Sequence, residues 1–211
     1  ATLVAPFIDT AYYLIGNMNG WNTDALIKLN HSGADIYDDP VFSTIIEVPA
    51  DCYWKVIPQI NVTEGNVWNN NNVLGCEENG NTDLTGKLVI NPNPEPGAMR
   101  IENAGWVKIS LNMMDYTYTV ELLGEVSPYL YTPGNHQGWN PAASVKLYST
   151  DFMNYSGYLS LDGEFKFTSA PDWEHTNYGD GGEGTLSTDG GNLSASKGFY
   201  YVEANVSTLT W

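Results

Sequence analysis

The chain has 211 residues, 42% hydrophobic and only 16% charged, with a formal net charge of −17 and eight Lys and Arg in all. A field of that sign repels nucleic acid and anionic lipid, so both are excluded as partners, and no apolar run is long enough to span a membrane as a helix. A neutral, hydroxyl-rich ligand meets no such barrier, and the length admits one large domain or two small ones.

The chain opens as ATLVAPFIDT, without a Met, which reads as a start within a longer precursor. The first predicted strand, YYLIG, runs into GNMNGWN at 16–22, a turn that ends on Gly-Trp, and a Lys28-Leu29 pair follows. STIIEVP and CYWKVIP (52–58) come next as strands. Period-two geometry puts Trp54 and Val56 on one face and Tyr53 and Lys55 on the other. The Asn- and Gly-rich stretch 69–82, just after Trp68, is expected to be a long loop. AGWVKISLNMMDYTYTV at 104–120 has the pattern of a strand, a turn and a return strand.

Breakers Gly124 and Pro128 bracket a junction, and the same signals then recur in the same order. YLYTPGNHQGWN at 129–140 answers the first turn, and Lys146-Leu147 answers Lys28-Leu29. GEFKFTS at 163–169 answers CYWKVIP and sets Lys166 opposite Lys55. KGFYYVEANVSTLTW at 197–211 answers the closing strand, with Gly105 opposite Gly198 and Asn112 opposite Asn205. The Gly-rich stretch 179–192 is again expected to be a loop. No segment carries a helical stripe over three turns. The expectation is an all-β chain of two tandem immunoglobulin-like antiparallel β-sandwich modules, 1–124 and 125–211.

Candidate functional residues recur with the repeat. Trp21 and Trp139 follow Gly in a turn, and Trp68 and Trp173 sit in polar loops, where a large indole is costly to expose. Sugar rings present C–H faces that lie on indoles and hydroxyls that bond to Lys, Asn and Glu, so two Trp and one mid-strand Lys per repeat suit a saccharide site. The competing readings are core filling for Trp21 and Trp139, loop packing for Trp68 and Trp173, and a solvated sheet face for Lys55 and Lys166. Trp106 and Trp211 are assigned to packing.

Catalytic readings are weaker. Glu174 adjoins Trp173, but Asn69 follows Trp68, so no acid recurs beside the aromatics. There is no Ser elbow, phosphate loop or zinc spacing, which leaves no catalytic residue, metal or cofactor to name. Asp180, Glu183 and Asp189 lack EF-hand spacing and read as a solvated loop. Cys52 and Cys76 permit one bridge in an oxidising compartment but do not make a disulfide scaffold.

The segments YYLIGNMNGWN with IKL, GEFKF with the following Trp and NYG, and GNLSASKGFYYVEANVSTLTW resemble the carbohydrate-binding modules of the SusE/SusF family. These are surface-exposed, outer-membrane starch-binding lipoproteins of Gram-negative bacteria. The resemblance covers nearly the whole chain as two modules. It implies β-sandwich folds and non-catalytic binding of a polysaccharide, with starch or another α-glucan as the leading ligand. It also implies a lipid anchor upstream of this sequence and neighbours among outer-membrane glycan-uptake proteins. Carried onto this sequence, the family's aromatic and basic site residues fall on Trp139, Lys166 and Trp173 in the second repeat and on Trp21, Lys55 and Trp68 in the first. Asn177 and Asn72 follow as polar candidates. The second repeat keeps the pattern more cleanly than the first. A surface structural or adhesion protein, or an accessory domain of a glycoside hydrolase, are the alternatives.

Overall fold

A computed structural model describes residues 3–124 and 126–211, and the chain divides into two compact units, Ala1–Glu125 and Val126–Trp211. In the first unit the strands are β1 (Tyr12–Gly16), β2 (Ile27–Lys28), β3 (Val41–Val48), β4 (Cys52–Pro58), β5 (Thr85–Lys87), β6 (Met99–Ile101), β7 (Gly105–Asn112) and β8 (Thr117–Leu122). They form two antiparallel sheets, ordered β2-β1-β4-β6 and β3-β7-β8-β5.

Alternation builds the core between the sheets. In β7, Val107, Ile109 and Leu111 are buried while Lys108 and Ser110 point outward. In β4, Cys52, Trp54 and Val56 enter the same core, which also takes Tyr12 and Leu14 from β1. The other side of the β1–β4 sheet is covered too. Ile15, Ile57 and Val73 form a small second core there, with Trp21, Leu26, Val62 and Val67 packed against it. That second core supports the segments that carry Trp21 and Trp68. It lies beside one short helix, α1 (Gln59–Thr63), whose start is held by the Ile60 N–H donating to Asp9 Oδ2 at 2.8 Å. Cys52 and Cys76 are both buried, with free thiols.

The second unit comprises β9 (Tyr129–Tyr131), β10 (Lys146–Tyr148), β11 (Asn154–Phe165), β12 (Phe167–Thr168), β13 (Asn177–Gly182), β14 (Thr185–Ser187) and β15 (Leu193–Asn205). All seven join one antiparallel sheet, ordered β14-β13-β12-β9-β10-β11-β15. β11 and β12 are a single chain path interrupted at Lys166. Its first part pairs with β10 and β15, and its last residues pair with β9 and β13. A bulge between Leu161 and Gly163, with Gly163 at φ 91°, bends this path around a core of Leu159, Leu161, Phe165, Phe167 and Val202. In the first unit the corresponding path breaks at Pro49 and at Asp51, which is left-handed at φ 52°, and this separates β3 from β4.

The closing strands keep the matches expected from the sequence. Gly105 pairs with Val48 and Asn112 with Val41, while Gly198 pairs with Leu161 and Asn205 with Asn154. One expectation is corrected: residues 179–192 are not simply a loop, because β13 and β14 form a hairpin within them. Glycine allows it through close backbone contact across the hairpin, since a Cβ on Gly181 would lie 2.8 Å from the Leu186 carbonyl oxygen. Among the described residues no helix is long and apolar enough to cross a membrane.

Candidate functional site

Each unit builds its site on the Gly-Asn turn. A Cβ on Gly16 would lie 2.1 Å from the Tyr53 carbonyl oxygen, and one on Gly134 would lie 2.6 Å from that of Glu164, so the turn can press onto the neighbouring strand only as glycine. One helical turn follows, Asn17–Asn19 or Asn135–Gln137. The chain then passes through two left-handed residues in succession, Gly20 and Trp21 at φ 65° and 57°, or Gly138 and Trp139 at 76° and 60°. The Trp21 N–H closes the loop onto Gly16 O at 2.8 Å, and the Trp139 N–H onto Gly134 O at 3.0 Å.

A side chain at one further position locks the turn. Asn19 Oδ1 accepts from the Gly16 N–H, and its Nδ2 donates to Asn22 O and Ala25 O. Gln137 Oε1 does the same for Gly134 and also accepts from the Asn140 N–H. Sequence reading passed over both residues, although the variable pair inside the two heptads, Met-Asn against His-Gln, keeps an amide at this place.

In the first unit a cleft of about 460 Å³ is lined by Trp21, Trp68, Lys55, Tyr53, Asn17, Asn79, Glu95 and Ala98. The Trp21 and Trp68 rings lie 6.1 Å apart, centroid to centroid, at 32°. Trp68 is 40% exposed. Its loop is organised from within by Asn61, which is fully buried; Asn61 Nδ2 donates to Val67 O and Asn69 O, and its Oδ1 accepts from Asn72 Nδ2. Lys55 leaves the core face of β4, as alternation requires. It is only 7% exposed, and its amine donates to Glu95 Oε2 at 3.0 Å. The competing solvated-face reading does not describe Lys55, because the loop bearing Glu95 closes over it.

In the second unit Trp139 and Trp173 repeat the arrangement, with centroids 6.2 Å apart at 36°. Trp139 Nε1 donates to Asn135 Oδ1 at 2.8 Å, which fixes the indole in its plane. Trp173 is 42% exposed on a short loop knotted by Asp172, whose carboxylate accepts from the Glu174 N–H and bonds His175 Nδ1 at 2.7 Å. The bond from His175 holds the Asp172 carboxyl below the usual carboxylate range. Lys166 is half-buried, and its amine donates to Gly190 O at 3.0 Å rather than to a carboxylate.

The structure thus brings Trp21, Trp68 and Lys55 to one cleft and pairs Trp139 with Trp173. Asn72 is turned into its own loop by the bond to Asn61, and Asn177 Nδ2 donates to Trp173 O at 3.1 Å, so both amides brace aromatic loops. Glu95 and Asn79 were missed because neither recurs in the second repeat. The first repeat, which keeps the sequence pattern less cleanly, is the one in which these added loop residues wall a cleft.

A family model described as SusF, first starch-specific CBM, matches residues 7–122, more than half of the chain. Among solved structures, the crystal structure of SusF from Bacteroides thetaiotaomicron is similar at 20% identity with a TM-score of 0.49; the match covers 95% of this chain and 47% of that one. The chain therefore spans about half the length of that protein. No curated protein sequence matches it.

Proposed function

The chain belongs to the family of the SusF first starch-specific carbohydrate-binding module, and on that premise we propose that it binds starch or a related α-glucan without catalysis, through one site in each of two related modules. The observation that carries this reading is the repeated tryptophan pair: 6.1 Å at 32° in one unit and 6.2 Å at 36° in the other, with a lysine of the adjoining strand path in each unit. Two indoles inclined to each other present an arc rather than a plane. Such an arc suits a polymer that curves, as α-linked glucans do.

Stacking of C–H faces on the indoles supplies most of the affinity. Lys55 and Glu95, in contact, offer a donor and an acceptor side by side to neighbouring hydroxyls. Ligand charge plays no part, so salt has little effect. A shallow site of this kind binds at roughly 10 µM to 1 mM, about 4–7 kcal/mol. Two sites engaged on one long polymer add avidity. The same reading puts the protein at the cell surface of a Gram-negative bacterium, held to the outer membrane by a lipid anchor and working beside other glycan-uptake proteins.

Affinity electrophoresis in amylopectin and calorimetric titration with maltoheptaose test the proposal. A variant with all four residues Trp21, Trp68, Trp139 and Trp173 changed to Ala loses retardation and heat of binding. Full retention of both by that variant overturns it.

A further inference from the structure

The second unit exposes an aromatic face that neither its core nor its tryptophan pair uses. Tyr158 on β11 pairs directly with Tyr201 on β15, and Ser160 with Phe199, so all four side chains leave the same side of the sheet. Tyr158, Phe199 and Tyr201 are 65%, 72% and 53% exposed. Tyr158 lies 6.0 Å from Phe199 with the rings 13° from parallel, and 4.9 Å from Tyr201. Tyr148 on β10, 61% exposed, pairs with Ser156, two positions along β11, and so extends the face. Glu203, paired with Ser156, and the serines supply hydroxyls and a carboxylate between the rings. The core is on the opposite side, with Tyr155, Leu159, Leu161 and Val202.

The fold itself does not require the tyrosine pair. Counted from the matched glycines, Tyr158 and Tyr201 correspond in the first unit to Ile45 and Lys108, while Phe199 corresponds to Trp106, so an aromatic recurs at that one position. Size limits the occupant. At about 150–250 Å² per aromatic side chain, the exposed parts of the four rings offer on the order of 500 Å². A specific protein interface needs about 800 Å² per partner, so the patch is small for a second copy or another protein. Charge limits it further: Glu203 and a net charge of −17 disfavour an anionic ligand. A row of rings on a sheet face, spaced with hydroxyls, fits several consecutive sugars of a neutral polymer lying flat.

We propose that the Tyr148–Tyr158–Tyr201–Phe199 face is a second glycan-contact surface, distinct from the tryptophan pair, that lies on the ordered surface of an insoluble neutral α-glucan. The proposal rests on the glycan-binding reading above, and its test separates the two. The full chain carrying Tyr158→Thr and Phe199→Thr is compared with the parent for retention on washed starch granules and for maltoheptaose affinity by calorimetry. Granule retention falls at least fivefold while maltoheptaose affinity changes less than twofold. In the four-tryptophan variant the granule binding that remains is abolished by adding the two Thr changes. Granule retention equal to the parent overturns the proposal. So does a parallel loss of maltoheptaose affinity, or sedimentation showing that the Thr changes merely split a dimer. If the four-tryptophan variant keeps its maltoheptaose affinity, the reading of the tryptophan pairs fails, while the granule comparison still decides this face.

Discussion

Trp139, from the turn before β10, and Trp173, from the loop after β12, meet with ring centroids 6.2 Å apart. Neither ring is deep in the core, since Trp139 is half-buried and Trp173 exposed, so removing one should cost ligand more than fold. Changing either to Ala is expected to weaken α-glucan binding at that unit by about 1–3 kcal/mol. The melting temperature is expected to move little. Calorimetric titration of each variant beside its thermal melt checks both halves, and a large loss of melting temperature with unchanged affinity would reverse the assignment.

Glu95 is expected to act on the first unit alone. Glu95→Gln keeps the shape of the side chain but removes the charge that meets the Lys55 amine. The Glu95 side chain is 60% exposed, so the effect of the pair is discounted for solvent, and a three- to tenfold loss of affinity is expected, about 0.7–1.4 kcal/mol. The measurement is made with Trp139 and Trp173 already changed to Ala, so that the remaining signal belongs to the first unit. Unaltered binding in that background counts against Glu95.

The two turn glycines should behave unlike those that follow them. Gly16→Ala forces a Cβ against the Tyr53 carbonyl, and Gly134→Ala forces one against Glu164 O and Phe165 Cβ, both at 2.6 Å. Overpacking of this kind costs about 1–3 kcal/mol and displaces the tryptophan that the turn carries. Around Gly20 and Gly138 nothing lies within 4 Å of such a Cβ, so substitution there bears only the left-handed backbone cost, about 1 kcal/mol. Chemical denaturation of the four Ala variants should rank them in that order.

His136, in the second turn, gives the fold a mild acid sensitivity. Burial lowers its affinity for a proton below the ordinary imidazole value of 6.5, although a backbone contact with Thr132 opposes the shift. The unfolded chain therefore takes up a proton before the folded one does. Stability from this group is complete above about pH 6.5 and is lost as the pH falls from there through the lowered folded value. His136→Gln should flatten that part of the stability profile, measured by urea denaturation between pH 7.5 and 5. A profile that keeps its slope would rule the histidine out as the source.

Much of this was legible in the sequence because alternation and repetition are local. The strands, the two Gly-Trp turns and the outward direction of Lys55 follow from period two and from comparison of the halves. Alternation says which side of a sheet a residue leaves, however, and not what the rest of the chain lays over it. The direction of Lys55 was legible and its surroundings were not, because Glu95 lies 40 residues further along the chain and Asn79 lies 24. Asn72 looked like a ligand donor because it follows Trp68 in a polar run, but its amide is taken by the buried Asn61. The hairpin of β13 and β14 was hidden for a different reason. Glycine has low strand propensity, and the pairing there depends on backbone approach that no side chain announces.

Both turn tryptophans hold a backbone conformation that bulky residues rarely adopt, at φ 57° and 60°. A glycine at either place would relax the main chain, so heat resistance and sugar capture make opposite demands on one codon. A library of the second module sorted only for survival at high temperature should drift away from indole at Trp139, and sorting on a starch column should drive it back; at Trp21 the packing against Ile15, Ile57 and Val73 opposes that drift.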